Sequence, residues 1–173
     1  LGVNWNERSA RDTFKIGDPD ATVTGVATAM TVTFNVLRKA AGAKLNMIVT
    51  HEGTFWNDAD DTKELADNRF YRMKTEFCRQ NGIVIWRLHD HQHARRPDQV
   101  IVASLRSIGI EDEDAYMGSN RVYTVPETTL GALASLIKKR TGSRAFRVVG
   151  DPNAKVSRIA LGVGYATPRI TPE

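Results

Sequence analysis

All four histidines in the 173 residues fall between positions 51 and 93. His51 directly follows the apolar run 45–50 (LNMIVT), and His89, His91 and His93 follow a second one, 83–88 (IVIWRL). Imidazole offers a neutral nitrogen ligand, and a transition-metal ion takes about four to six such donors at about 2.0–2.2 Å. If residues 89–93 stay extended, period two puts His89, His91 and His93 on one face. With His51 and the Glu52 carboxylate, they form a candidate site for a divalent Zn, Mn, Fe or Ni ion, and residue types alone do not choose among these. Asp90 points the other way in such a strand, which suits an outer hydrogen-bond partner of a ligand. Arg87, Arg95 and Arg96 flank the cluster and could grip a small anionic substrate, or could equally be surface charge.

Other reactive chemistry is sparse. Cys78 lies mid-helix by pattern and reads as a small core residue rather than a nucleophile. No phosphate-binding loop, dinucleotide fingerprint or Gly-x-Ser-x-Gly elbow is present. Trp5, Trp56 and Trp86 read as packing residues, while Phe55 and Trp56 follow the first ligand loop closely enough to wall a site.

These side chains need strands to carry them. Residues 22–30 read as a strand. Residues 31–41 read as a helix capped by Thr31 and stopped at Gly42, with Val32, Val36, Leu37 and Ala40 at helical spacing. The apolar runs 45–50 and 83–88 read as buried strands. Between them, 67–80 is an amphipathic helix with Phe70, Met73, Phe77 and, as a further candidate, Cys78 inward, ended by Asn81-Gly82. A helix over 98–108 stops at Gly109, and 111–114 is an acidic, solvated connector. Beyond it, 121–125 reads as a strand, 127–140 as a helix and 146–149 as a short strand. Alternating strands and helices predict an α/β class with a mostly parallel sheet. In such sheets ligands bind beyond the carboxyl ends of the strands, where both histidine groups sit.

Composition agrees with a folded domain. Hydrophobic residues make up 41% and charged residues 25%, close to globular averages. No apolar stretch is long enough to span a membrane, and the N-terminus lacks the pattern of a signal peptide. The single cysteine excludes an internal disulfide framework and suits the reducing cytoplasm. A net charge of +4, spread along the chain, makes nucleic acid an unlikely partner by comparison with clustered binders. The chain begins at Leu1 rather than Met, which reads as a fragment or a trimmed chain.

A weak internal repeat is also present. GDPDATVTGVATA (17–29) and GDPNAKVSRIALG (150–162) agree at six of 13 positions. Gly-Asp-Pro is a turn signal in its own right.

Taken together, the run from Gly17 to Asn57 resembles the Nif-three-like family, also called dinuclear metal-centre or GTP cyclohydrolase I type 2 homologues. That family has a strand, a helix and a strand ending in a His-His or His-Glu pair, here His51-Glu52. Its second motif is a strand ending in His-x-x-x-Asp. Here His89 opens that motif, and His93 stands where most members carry Asp. The resemblance implies two similar intertwined α/β units with mostly parallel sheets, a pair of divalent ions and a ring-shaped homohexamer. It places the first unit at 1–112, carrying both histidine loops, and the start of the second at 113–173. The family's further ligands come from a C-terminal His-x-x-x-Glu, yet no histidine follows His93. The first metal loop begins 34 residues after Gly17, and the same interval from Gly150 reaches position 184, past Glu173. A second unit cut after its first strand is therefore expected, with either a longer parent protein or weak metal binding.

Two functions of different kind follow from that resemblance. One is a metal-dependent hydrolase acting on a nucleotide or another phosphorylated small molecule, with His51, Glu52 and His93 as ligands and His89 and His91 as ligands or proton shuttles. The other is a non-catalytic, metal-carrying oligomeric scaffold or regulator, whose ion would be coordinatively saturated. A nucleic-acid-binding ring rests only on the pI of 9.4 and predicts steep salt dependence.

Overall fold

The two apolar runs that precede the histidines become neighbouring parallel strands, and the rest of the first unit is built around them. The computed structural model describes residues 2–111 and 122–163. The chain divides into two units, Leu1–Ala94 and Arg95–Glu173.

In the first unit β1 (Phe14–Ile16), β2 (Val26–Ala29), β3 (Met47–Thr50) and β4 (Val84–Arg87) form one sheet in the order β1-β4-β3-β2. Strands β2, β3 and β4 are parallel, and β1 runs antiparallel along β4. Val26, Met47 and Val84 stand level at one end, and Ala29, Thr50 and Arg87 at the other. This register makes His51 and His89 leave the sheet at the same edge. The mostly parallel α/β sheet expected from the alternation is therefore present.

The connections are α1 (Phe34–Gly42) and α2 (Arg69–Gln80). Residue alternation puts Ile48 and Ile85 on one sheet face, where they join Leu37, Ala40, Cys78 and Ile83 in a core fully removed from water. Phe34 of α1 meets Phe77 of α2 edge-on at 6.3 Å, so both helices cover that face. Helix α1 starts at Thr33, whose side chain accepts from the Val36 N–H, two residues later than the cap expected at Thr31. Asn68 caps α2 through the N–H groups of Phe70 and Tyr71.

Of the residues expected on the inward stripe of α2, Phe77 packs against the core and Cys78 is buried, while the other two differ. Phe70 is 72% exposed, and Met73 is also exposed. Tyr71, Lys74 and Thr75 face inward in place of Phe70 and Met73. Tyr71 packs on Phe55 at 4.9 Å, and Lys74 lays its stem against the same loop while its Nζ donates to the Thr54 carbonyl. Residues with an apolar body and a polar tip do the burying here, a role that a hydrophobicity pattern does not register.

The opposite sheet face carries Trp86, flanked by Phe14 and Trp5 at 6.3 and 6.1 Å. The N-terminal segment thus lies against the sheet rather than trailing away from it.

The second unit contains α4 (Gln99–Ile108), β5 (Val122–Thr129), α5 (Leu130–Thr141) and β6 (Lys155–Ala160). Ile101, Val102 and Leu105 of α4 pack around Tyr123, with Ile159 against them. That shared core belongs to the second unit, Arg95–Glu173. Strands β5 and β6 pair antiparallel, with an irregularity between Thr124 and Thr128. Pro126, which has no N–H to donate, lies within it. The strand continues to Thr129, so the helix expected from 127 starts only at Leu130. The expected strand at 146–149 is irregular, with Phe146, Val148 and Val149 exposed. Strand propensity without a neighbouring ladder builds no strand. Positions 112–114 of the acidic stretch lie outside the described residues.

Both Gly-Asp-Pro turns take one local form. Gly17 and Gly150 have φ of 92° and 123°. Asp18 and Asp151 each accept, through Oδ1, the N–H two residues on at 2.9 Å. Gly17 is further constrained, since a Cβ there would lie 2.8 Å from the Val84 Cα. Among the described residues no helix is long and apolar enough to cross a membrane.

Candidate metal centre

Parallel pairing of β3 with β4 continues one step past the strands, where the Leu88 N–H donates to Thr50 at 2.9 Å. His51 then leaves β3 and His89 leaves β4. Residues 89–93 do not stay extended. They enter the short helix α3 (Asp90–Ala94), and the His93 N–H donates to the His89 carbonyl at 3.0 Å. One helical turn puts residues four apart on the same side and the residue between them on the other. His89 and His93 therefore face His51, and His91 points away.

The ring centroids of the three are separated by 4.6 Å (His51–His89), 5.0 Å (His51–His93) and 4.7 Å (His89–His93). Each offers a ligand nitrogen, all within 4.8 Å of one another, and all three residues are half-buried. Among the described residues this is the group of three that can hold a metal ion.

The hydrogen bonds suit that role. His51 Nδ1 lies 3.2 Å from the Leu88 carbonyl oxygen, and His89 Nδ1 lies 3.0 Å from Asp90 Oδ1. An Nδ1–H donated to an oxygen leaves the lone pair on Nε2, which is the ligand form of imidazole. Burial, and then the proximity of His89 and His93, lowers the pKa of His51 and favours its neutral state. The donor set thus fits a borderline divalent ion such as zinc.

A polar frame holds these loops. Arg87 is completely buried beneath the His51 loop. Its Nε donates to the His51 carbonyl at 2.8 Å, its Nη2 to Asp58 Oδ1 at 3.1 Å, and its Nη1 to the Asp58 carbonyl. Arg87 is thus a brace for the loop and not a free anion grip. Glu52 lies 3.5 Å from the same guanidinium and is not among the three convergent side chains. Arg11 forks onto Asp58, which holds that carboxyl well below the usual carboxylate range, and it also reaches Asp90 at 3.3 Å. Asp60, at φ 55°, accepts from the Thr54 and Phe55 N–H groups and closes the 51–60 loop. Phe55 packs on Tyr71, and Trp56 is 76% exposed.

His91, expected as a ligand, occupies a different environment. It is buried, its Nδ1 pairs with Asp12, its Nε2 accepts from the Asn6 N–H at 2.6 Å, and its ring stacks on Trp5 at 3.7 Å. The difference comes from periodicity: these residues form a helical turn, not the extended strand expected, so His91 does not share a face with His89 and His93. Arg95 and Arg96 belong to the second unit.

Sequence reasoning did not identify Asp12, Ser9 or Asn6. They lie in a polar stretch with no motif, and the only local signal is their nearness to β1.

Comparisons with known proteins bear on this geometry. The Duf34/NIF3 (NGG1p interacting factor 3) family model matches residues 6–171. A Staphylococcus aureus hypothetical protein, SA1388, superposes with a TM-score of 0.63 at 21% identity, over 84% of this chain and 62% of that one. A Bacillus cereus protein related to NIF3 gives 0.58 at 16% identity, over 84% and 68% respectively. Ybgi, a protein of unknown function, gives 0.55 at 17% identity, over 83% and 56%. At these identities the likeness shows a shared fold, and this chain spans about 62% of the length of the S. aureus protein. No curated protein matches. With the family model covering nearly its whole length, the chain belongs to the DUF34/NIF3 family.

Proposed function

We propose that the protein binds a divalent transition-metal ion through His51, His89 and His93 and uses it to hydrolyse a nucleotide or another phosphorylated small molecule. The carrying observation is the convergence of three imidazole nitrogens within 4.8 Å at the carboxyl edge of a parallel sheet. An ion held by these three donors alone would keep a coordination position for water or substrate, as catalytic sites require and saturated structural sites do not. A bound ion supplies Lewis acidity and activates water near neutral pH. The chain's own part is to hold three imidazoles together, to orient His51 through Leu88 and His89 through Asp90, and to brace the His51 loop with Arg87. A second ion, implied by the resemblance, needs donors beyond this trio.

The metal claim is tested by elemental analysis of the purified protein beside His51→Ala, with bound metal expected only in the parent. The hydrolase claim is tested by turnover of a nucleotide library with added Mn or Zn. Turnover that requires metal and disappears in His51→Ala and His93→Ala supports it, and absence of any metal-dependent turnover overturns it.

A further inference from the structure

A helix of five residues does not sustain itself. Its nucleation is unfavourable, and its first N–H groups have no partner within the helix. In α3 those groups are met from far away in the sequence. Asp12 Oδ1 accepts from the His89 N–H at 2.6 Å and the Asp90 N–H at 2.9 Å, and Oδ2 accepts from the His91 N–H at 2.8 Å. The carboxylate is buried and also complements the positive end of the helix.

The capping group is itself held. The Asp12 N–H donates to Ser9 Oγ at 3.0 Å, and Ser9 Oγ donates to Asp90 Oδ2 at 2.7 Å. The Arg87 N–H donates to the Thr13 carbonyl at 3.0 Å, tying this segment to β4. On the back of the turn His91 fills the remaining space. Because the Asn6 N–H points into its Nε2, Nδ1 carries the hydrogen and donates it to Asp12. Both of its nitrogens are thereby used.

We propose that Asp12 is a positioning residue for the metal centre. It holds residues 89–93 in the one helical turn that sets His89 and His93 side by side opposite His51, with His91 as its fixed counterpart and not a ligand. The proposal rests on the metal-binding reading above. Without the cap, the same pentapeptide can extend, and His89 and His93 lose their common face with His51.

The experiment is a Co(II) titration of the parent, Asp12→Asn, Ser9→Ala, His91→Phe, His93→Ala and His51→Ala, read by dissociation constant and by d–d absorption. Thermal unfolding and amide exchange of the metal-free proteins accompany it. Asp12→Asn is expected to bind about 10–100-fold more weakly, the range found when outer partners of ligands are removed. Its d–d bands should change, and exchange at the His93 amide should speed up while the β3 and β4 amides stay protected. Ser9→Ala should move the same way by a smaller factor, and it decides the question if Asp12→Asn does not fold. His91→Phe should keep the parent's Co(II) stoichiometry. Parent-like affinity and spectrum in folded Asp12→Asn, or in Ser9→Ala if it stands in, overturn the proposal. So does loss of binding in His91→Phe as complete as in His93→Ala. A parent that binds no Co(II) overturns the metal-binding reading itself and this proposal with it.

Discussion

His89 and His93 differ from His91 in nothing but their position on one turn of helix, and their surroundings are opposite. The first two look towards His51, half-buried, with Nδ1 of His89 bound to Asp90. The third is sealed between Trp5, Asn6 and Asp12. One side of α3 collects donors, and the other side locks the turn onto the N-terminal segment. The lesson is that several like residues in a short run need not share a task. The same turn that builds a site also needs something to hold it, and a histidine can serve either purpose.

That contrast can be broken by substitution. The largest expected effect is on the open side: His51→Ala or His93→Ala should weaken Zn(II) or Co(II) binding by at least about 100-fold, beyond the about 10–100-fold seen for outer partners. Calorimetric titration measures it, and an equal loss in His91→Phe would erase the distinction between the two sides.

The sealed side should show in stability. Trp5→Ala removes a stack on His91 and a neighbour of Trp86. It should cost about 1 kcal/mol, the scale of an aromatic pair, read by urea unfolding. His93→Ala should leave the metal-free protein's stability almost unchanged by comparison.

Cys78 reports the same difference from inside the core. Burial pushes its thiol up to about 11, so labelling by a disulfide reagent at neutral pH requires opening of the fold. Trp5→Ala should speed labelling about fivefold, the equivalent of that loss in stability, while His51→Ala and His93→Ala should leave the rate near the parent's.

The smallest expected effect belongs to the frame. Asp58 carries a folded-state pKa below its unfolded value, first through its hydrogen bond from Arg11. Its contribution is therefore complete above the ordinary carboxylate range and is lost as pH falls below about 4. Asp58→Asn should cost about 1 kcal/mol or less at pH 7, and the gap to the parent should close on acidification. Paired urea titrations at pH 7 and pH 3 check both the size and the sign.

Much of the first unit is legible in its residues alone. The apolar runs 45–50 and 83–88 could only be buried strands at such short length, and alternation with helices made them parallel neighbours. His51 and His89 at one edge follow from that. The fate of residues 89–93 was not legible, because nothing in Asp90-His91-Gln92-His93 prefers strand or helix strongly. Only part of the stripe on α2, Phe77 and Cys78, is legible for a related reason: Lys74 and Tyr71 are polar by name but pack by their carbon atoms.

What the sequence determined by itself is the α/β class of the first unit, the strands that end in histidines and the pool of side chains able to act as donors, since hydrophobic periodicity and ligand chemistry are local properties. Which imidazoles meet was decided only in three dimensions. A five-residue helix exists here because Asp12, 77 to 79 positions away, satisfies its first N–H groups. No local pattern encodes a hydrogen bond between segments so far apart. The tertiary fold supplies that bond, and with it the difference between a candidate ligand and a lock.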